Sequence, residues 1–355
     1  MKYNCFVILI FSILMSCKNE QKNSLITNET YFKSVSIDTI FEDKINIRAI
    51  LIDSDKIWYA GNNGKYGYFN LSKNKIFNGN IEKDTFKLEF RSISHTKNAI
   101  FILSVGNPAL LYKISKDGAN IDLVYQENNK KIFYDSMKFW NINEGIAMGD
   151  PTEKCLSVII TKDGGKSWNK MPCVNLPKVD EGEAAFAASN TNLIIRGNNT
   201  WMVSGGKKAR VFYSPDKGLT WKVYNTPIVQ GKEMTGIFSA DFYDAKNGII
   251  VGGDYENSKQ NFSNKAISDD GGKSWKLVSE KQGFGYASCV QYVPNSNAKE
   301  IVTVGASGLY YSSDSGNSWQ QLCKDKELYT IQFHNDTTAF AAGKNKIIRI
   351  KFKKT

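Results

Sequence analysis

The chain is poor in the side chains that most often carry chemistry. Two histidines, His95 and His334, lie far apart and offer little to a His-based metal site or a His general base. Its six cysteines make no Cys-x-x-Cys pair and no haem-attachment motif, and no Gly-x-Gly-x-x-Gly run occurs. No redox or dinucleotide site is therefore legible, and neither a cofactor nor a metal is expected. No stretch carries a helical apolar period, and beyond the first residues no apolar run is long enough to span a bilayer. Arginine is scarce, at five of the 46 basic residues. The net charge of +11 comes from lysines scattered along the chain without a basic block. Such a charge reads as a solvated surface, and no nucleic-acid partner is expected.

What is present begins at the N-terminus. Lys2 precedes an apolar run from Phe6 to Met15, followed by Ser16, Cys17 and a polar stretch. A basic start with a short apolar core is the pattern of a secretory signal, too short for a transmembrane helix. Leu14-Met15-Ser16-Cys17 resembles a bacterial lipobox. That resemblance implies a signal peptide over residues 1–16 and a lipid on Cys17. Residues 17–31, rich in Asn, Lys, Gln and Glu, then read as a flexible tether. The expected location is the bacterial cell envelope, at the outer membrane, with the side left open.

With Cys5 in the signal and Cys17 lipidated, four cysteines remain. Cys155 and Cys173 flank a turn motif at nearly matched distances, which could set them side by side on paired strands; whether they bond stays open. Cys289 and Cys323 fall on the innermost and outermost strands of one sheet, about three spacings of ~4.8 Å apart, and should stay free and buried.

Self-similarity organises the rest. The pattern Ser/Thr-x-Asp-x-Gly-x-Ser/Thr-Trp occurs four times, with Asp163 and Trp168, Asp216 and Trp221, Asp270 and Trp275, and Asp314 and Trp319, at intervals of 53, 54 and 44 residues. Each reads as a hairpin tip, with an Asp to cap turn amides, a Gly for positive φ and a Trp to plug the base. Upstream of each lies an apolar triplet ending in Gly, and the unit recurs without the full motif to make seven copies, at Gly61, Gly106, Gly149, Gly205, Gly252, Gly305 and Gly343. Before each lies another short strand with one small residue in register: Ala49, Ser92, Ser136, Ala184, Ser239, Ser288 and Thr330. Small residues at one level are what inner strands crowded around an axis require. Four short strands per 40–50 residues predict an all-β, seven-bladed β-propeller of four-stranded blades over residues 32–355. The strand at Phe32–Ile40 should complete the last blade and remove an open edge.

The four motifs are similar to the Asp-box, or BNR repeat, of sialidases, sortilin-type receptors and certain xyloglucan hydrolases. Gly106-Asn107-Pro108, Gly149-Asp150-Pro151, the Gly182–Ser189 run, Gly205-Gly206 with Ala209–Phe212, and Gly252–Tyr255 resemble most the bacterial photosystem II assembly factor-like propellers. That group is often labelled oxidoreductase and has no agreed activity. The resemblance implies a fold and a repeat.

Blade geometry places the Asp-boxes on the face opposite the turns that join second strands to third, where they brace outer hairpins. The opposite mouth is framed by a mixed ring preceding the small column: Arg48, Arg91, Asp135, Glu183, Phe238, Ala287 and Tyr329, with Asn107, Asp150, Arg210, Asp254, Tyr255 and Tyr286 nearby. Scarce arginines beside carboxylates and tyrosines suit an anionic or polyhydroxylated ligand. The plainer reading has Arg48–Asp135 and Arg91–Glu183 pairs neutralising one another. The chain is expected to be a monomeric envelope binding or assembly module for a protein or glycan. The alternatives are a glycan hydrolase using Asp135 with Glu183, or Asp150 with Asp254, and, as relatives are labelled, an oxidoreductase.

Overall fold

The computed structural model describes Met1 and residues 31–354. The expected signal beyond Met1, Cys5, the expected lipidation site Cys17 and all but the last residue of the expected tether lie outside the described residues. Apart from one 3-10 turn at Cys173–Asn175, the regular structure described is strand.

The strands assemble into six hydrogen-bonded sheets, four of four strands and two of six. Counted as continuous sheets, the propeller has six blades, and the expectation of seven separate four-stranded blades is corrected. The reason is strand length. Phe32–Asp53 runs 22 residues without a break. Its first part pairs with Thr338–Lys354, from Phe32↔Lys354 to Asn46↔Lys344. Its second part pairs with Lys56–Gly61. One strand thus belongs to the first and last units and fuses them into a single six-stranded sheet. Among the described residues, fusion leaves no free edge between the first and last units.

A second correction concerns the fourth unit. Glu183–Ala184 is not its inner strand; it pairs with Gly205–Gly206 at the edge of the sheet built on Thr235–Phe242. The inner strand is Leu193–Arg196, against Asn199–Val203. Ala184 therefore leaves the small column.

The core lies between successive sheets. Second strands are apolar at consecutive positions because each face meets a different neighbour. Ile250 packs with Trp201 and Phe242 in one cluster, while Ile249 and Val251 pack with Phe284 and Val290 in the next. Trp201, fully buried, stacks on Phe242 at 3.9 Å between centroids and donates to the Gly271 carbonyl at 2.8 Å.

The Asp-boxes brace, as their chemistry requires. Asp163 Oδ1 accepts from Thr161 Oγ1 at 2.8 Å and from the amides of Lys166 and Ser167 at 2.9 and 3.0 Å. Ser167 Oγ donates to Oδ2 at 2.6 Å. Burial alone would raise this carboxyl, but those donors outweigh it and hold Asp163 and Asp270 at about 2. The indole N–H of Trp221, Trp275 and Trp319 closes back on the carbonyl of the box Gly. Each tip also donates an amide to the turn joining the first two strands of its own unit: Gly164 to Asn143, Lys217 to Asn198, Gly271 to Lys246 and Ser315 to Lys299.

Cys155 and Cys173 are bonded, with Cα atoms 5.7 Å apart. They sit beyond strand ends, on the loop before Ser157–Thr161 and on the 3-10 turn, rather than on paired strands. Cys289 is free and buried, and Cys323 is free but only half-buried.

Candidate functional site

The mouth is built by a repeated irregularity. In six inner strands the register slips by one residue, and the extra residues are Arg48, Arg91, Asp135, Phe238, Ser288 and Tyr329. A β-bulge re-aims the side chain it carries. The ring expected from sequence is therefore a ring of bulges, with Ser288 in place of Ala287, and Cys289 joins the small column instead of Ser288. Glu183 is absent from it.

The bulge also accounts for the Gly that ends each apolar triplet. It presses the inner strand's carbonyl onto the opposing residue, and a Cβ there would lie 1.6 Å from Glu327 O at Gly343, 1.9 Å from Gly236 O at Gly252 and 2.1 Å from Phe133 O at Gly149. Gly106 meets nothing within 4 Å, because in that unit Ser104 faces the bulge.

A segment of the fourth unit crosses the axis and floors the mouth. Ser92 Oγ donates to Asn190 Oδ1 at 3.1 Å; Ser239 and Thr191 hydroxyls meet at 2.7 Å; Ser189 Oγ donates to the Ser288 carbonyl at 2.6 Å; and Thr330 Oγ1 donates to the Ser189 carbonyl at 3.3 Å. Ser136 Oγ donates to Asn192 Oδ1. The small column is thus small and hydroxylated because a chain segment must pass it and be satisfied there. Sequence reasoning missed this plug. Its signal was two candidate inner strands in one unit, Glu183–Ala185 and Leu193–Arg196.

Above the plug lies a cavity of ≈ 380 Å³, lined by Arg48, Arg91, Asp150, Phe133, residues 184–188, Glu233, Met234, Phe238, Tyr255 and Tyr286. A second, of ≈ 320 Å³, shares Arg48, Tyr255 and Tyr286 with it and adds Lys326 and Tyr329. The wall is aromatic: Phe186 stacks on Phe238 at 4.0 Å, and Tyr286 meets Phe238 at 4.8 Å and Tyr255 at 5.1 Å, both edge-on. Tyr255 is 48% exposed. Burial pushes the Tyr286 hydroxyl well above its usual range.

The charged residues divide into two groups. Arg48 lies half-buried with its guanidinium 4.4 Å from the Tyr329 ring, and its Nη1 donates to the Ala188 carbonyl at 3.3 Å. Arg91 pairs with Glu89 at 2.7 Å. Neither forms the expected pair with Asp135 or Glu183. Asp150 lines the cavity and accepts from the Ala185 amide at 2.8 Å, while burial lifts its carboxyl to about 6. Asp135 is fully buried, and neither of its oxygens has a hydrogen-bond partner among the described residues. Burial first, then the nearby Asp150, raise it well above the carboxylate range, and Arg91 opposes. The carboxyls brought together are therefore Asp135 and Asp150, not either pairing expected from sequence.

The second group is structural. Glu183 accepts from Arg210 Nε at 3.0 Å, Ser204 Oγ at 2.6 Å and the Asp180 amide at 2.9 Å. Asp254 takes the amides of Glu256 and Asn257 at 3.0 and 2.9 Å and Lys232 Nζ at 3.2 Å. Asn107 accepts from the Asn129 amide at 3.1 Å. None of Glu183, Arg210, Asp254 and Asn107 lines either mouth cavity.

Residues 266–277, spanning the third Asp-box, match the BNR/Asp-box repeat model. No curated protein matches the sequence. Among solved structures, YCF48 bound to D1 peptide is 18% identical with a TM-score of 0.63, over 91% of this chain and 97% of that one. YCF48 from Cyanidioschyzon merolae is 13% identical at 0.63, covering 89% and 98%. The GH74 xyloglucanase from Xanthomonas campestris is 9% identical at 0.65, covering 88% of this chain and 53% of its own. These likenesses are of fold.

Proposed function

We propose that this chain is a binding module whose mouth receives a segment of a partner protein. The observation that carries this reading is Arg48. It is aimed into the mouth by a bulge, steadied on Tyr329, and has no carboxylate within ion-pair distance among the described residues. A guanidinium so placed, beside the Phe238–Tyr255–Tyr286 wall, suits a peptide carboxylate next to an apolar side chain. That YCF48 has been solved with a D1 peptide supports a propeller of this fold taking a peptide. We further propose attachment to a bacterial envelope through lipidated Cys17, which Cys17→Ser would abolish.

The test is capture of envelope proteins, and of arrayed peptides and glycans, by the purified protein. Arg48→Ala and Tyr255→Ala should fold normally and lose the captured signal. Unchanged capture by both would sink the reading. A second reading, glycan hydrolysis, rests on the neighbouring raised carboxyls Asp135 and Asp150. Turnover of chromogenic glycosides that Asp150→Asn removes would favour it.

A further inference from the structure

Below the plug, at the Asp-box end of the axis, lies a separate cavity of ≈ 250 Å³. Ala188 lines the upper cavity and Thr191 the lower one, so the two are divided by the short segment between them. Hydrogen-bond donors dominate its polar lining. Gln291 Oε1 accepts from the Phe333 amide at 3.0 Å and Gln332 Oε1 from the Ile52 amide at 3.1 Å. Each amide oxygen thereby latches one inner strand to the next, and neither side-chain NH₂ has a protein partner among the described residues.

Asp241 is the carboxylate of this cavity, and it is already engaged. Its Oδ1 accepts from Arg196 Nη2 and the Phe242 amide, both at 2.9 Å, and its Oδ2 from the Tyr292 amide at 2.8 Å. Arg196 is engaged in turn, with Nε donating to the Phe242 carbonyl at 2.6 Å. Lys138 lines the same cavity and forms no ion pair among the described residues. The uncompensated charge is therefore one ammonium, with two primary amides in the same lining, and the one carboxylate there already accepts three hydrogen bonds.

We propose that this lower cavity is a binding site for a small oxyanion, of phosphate or carboxylate type, held by Lys138 Nζ and the amide NH₂ groups of Gln291 and Gln332. A charge-assisted bond to Lys138 and two neutral ones would satisfy the three unpartnered donors together. Burial, with Arg196 adding repulsion, lowers the Lys138 ammonium to about 8 while Asp241 opposes. An anion would relieve that penalty. The site is independent of the mouth, because the plug lies between them.

The experiment is a titration of the purified protein with inorganic phosphate, and in parallel with acetate, at fixed pH and ionic strength. The readout is the side-chain amide signals in ¹H–¹⁵N spectra. Saturable shifts of the Gln291 and Gln332 NH₂ signals are expected, and which salt produces them distinguishes phosphate from carboxylate. Lys138→Met should weaken the binding by about tenfold or more. Absence of saturable shifts with either salt, shifts confined to the mouth, or undiminished binding by folded Lys138→Met would overturn the proposal. Should Lys138→Met fail to fold, the shifts in the native protein decide the matter alone.

Discussion

Asn190 Nδ2 donates to the Ile93 carbonyl at 2.7 Å, joining residues 97 apart in sequence across the centre of the ring. The same side chain accepts from Ser92 Oγ and from the Met137 amide at 3.2 Å, so three bonds converge on one buried amide. Its backbone sits at φ 61°, a conformation Asn tolerates better than most residues. Asn190→Ala should therefore destabilise the protein by about 1–3 kcal/mol per group left unsatisfied. Urea unfolding midpoints measure this.

Glu183 and Arg210 give the contrast between a structural charge pair and the mouth. Their side chains are 0% and 13% exposed. Glu183→Ala strands a half-buried guanidinium and should cost about 3–5 kcal/mol. Arg48→Ala breaks no ion pair among the described residues and should cost under about 1 kcal/mol, with its effect on partner capture instead. Paired melting and binding curves for the two variants would reveal any exchange of roles.

Much of this was legible in the chain, for physical reasons. Asp-box chemistry is local: seven consecutive residues, as in Thr161–Ser167, satisfy one another, so sequence reports them directly. The small column and the terminal Gly of each apolar triplet were legible because both respond to steric crowding, which leaves a residue-type imprint. The position of the plug left a weaker one. Ser189, Asn190 and Asn192 are polar residues that look like any loop until their partners, distant in sequence, are known. Glu183 was misread for the same reason, since its partners Ser204 and Arg210 are distant in sequence and its pairing with Gly206 sets it at the edge of the next sheet. The blade count failed because a register can be read locally, whereas continuity of one strand through two sheets cannot.

Acid lability should follow from the boxes. Asp163 and Asp270 have folded-state values held at about 2, below the roughly 3.9 of an unfolded chain. A depressed carboxyl contributes stability that is complete above the unfolded value and lost as pH falls from about 4 through about 2. Asp163→Asn should shrink that drop. Denaturation midpoints from pH 5 to 2 check both.

Asp150 titrates with the opposite sign. Its folded value of about 6 exceeds the unfolded one of roughly 3.9, so the stability linked to its protonated form is present below about pH 4 and lost as pH rises through about 6. A newly charged carboxylate in the mouth also repels an anionic ligand. Affinity for an acidic peptide should fall as pH rises through about 6, and Asp150→Asn should flatten the profile. Titration calorimetry at pH 5 and 7 would show it.

The Cys155–Cys173 bond closes a short loop, at a sequence separation of 18. Cys155→Ser should cost about 3 kcal/mol. Melting under reducing and oxidising conditions should differ by the same amount for the native protein and by nothing for the variant.

The pairing of Phe32–Asn46 with Lys344–Lys354 has a consequence for the order of events in synthesis. The earlier strand waits for a partner about 300 residues later, so the ring cannot be sealed until residues 338–354 have been made. Until then Phe32, Phe41 and Ile45, all buried in the finished molecule, belong to an unsealed end. A nascent chain halted before residue 338 would hold a row of unmatched backbone amides and carbonyls next to apolar side chains, the surface that chaperones of the unfolded chain bind and that promiscuous strand pairing exploits.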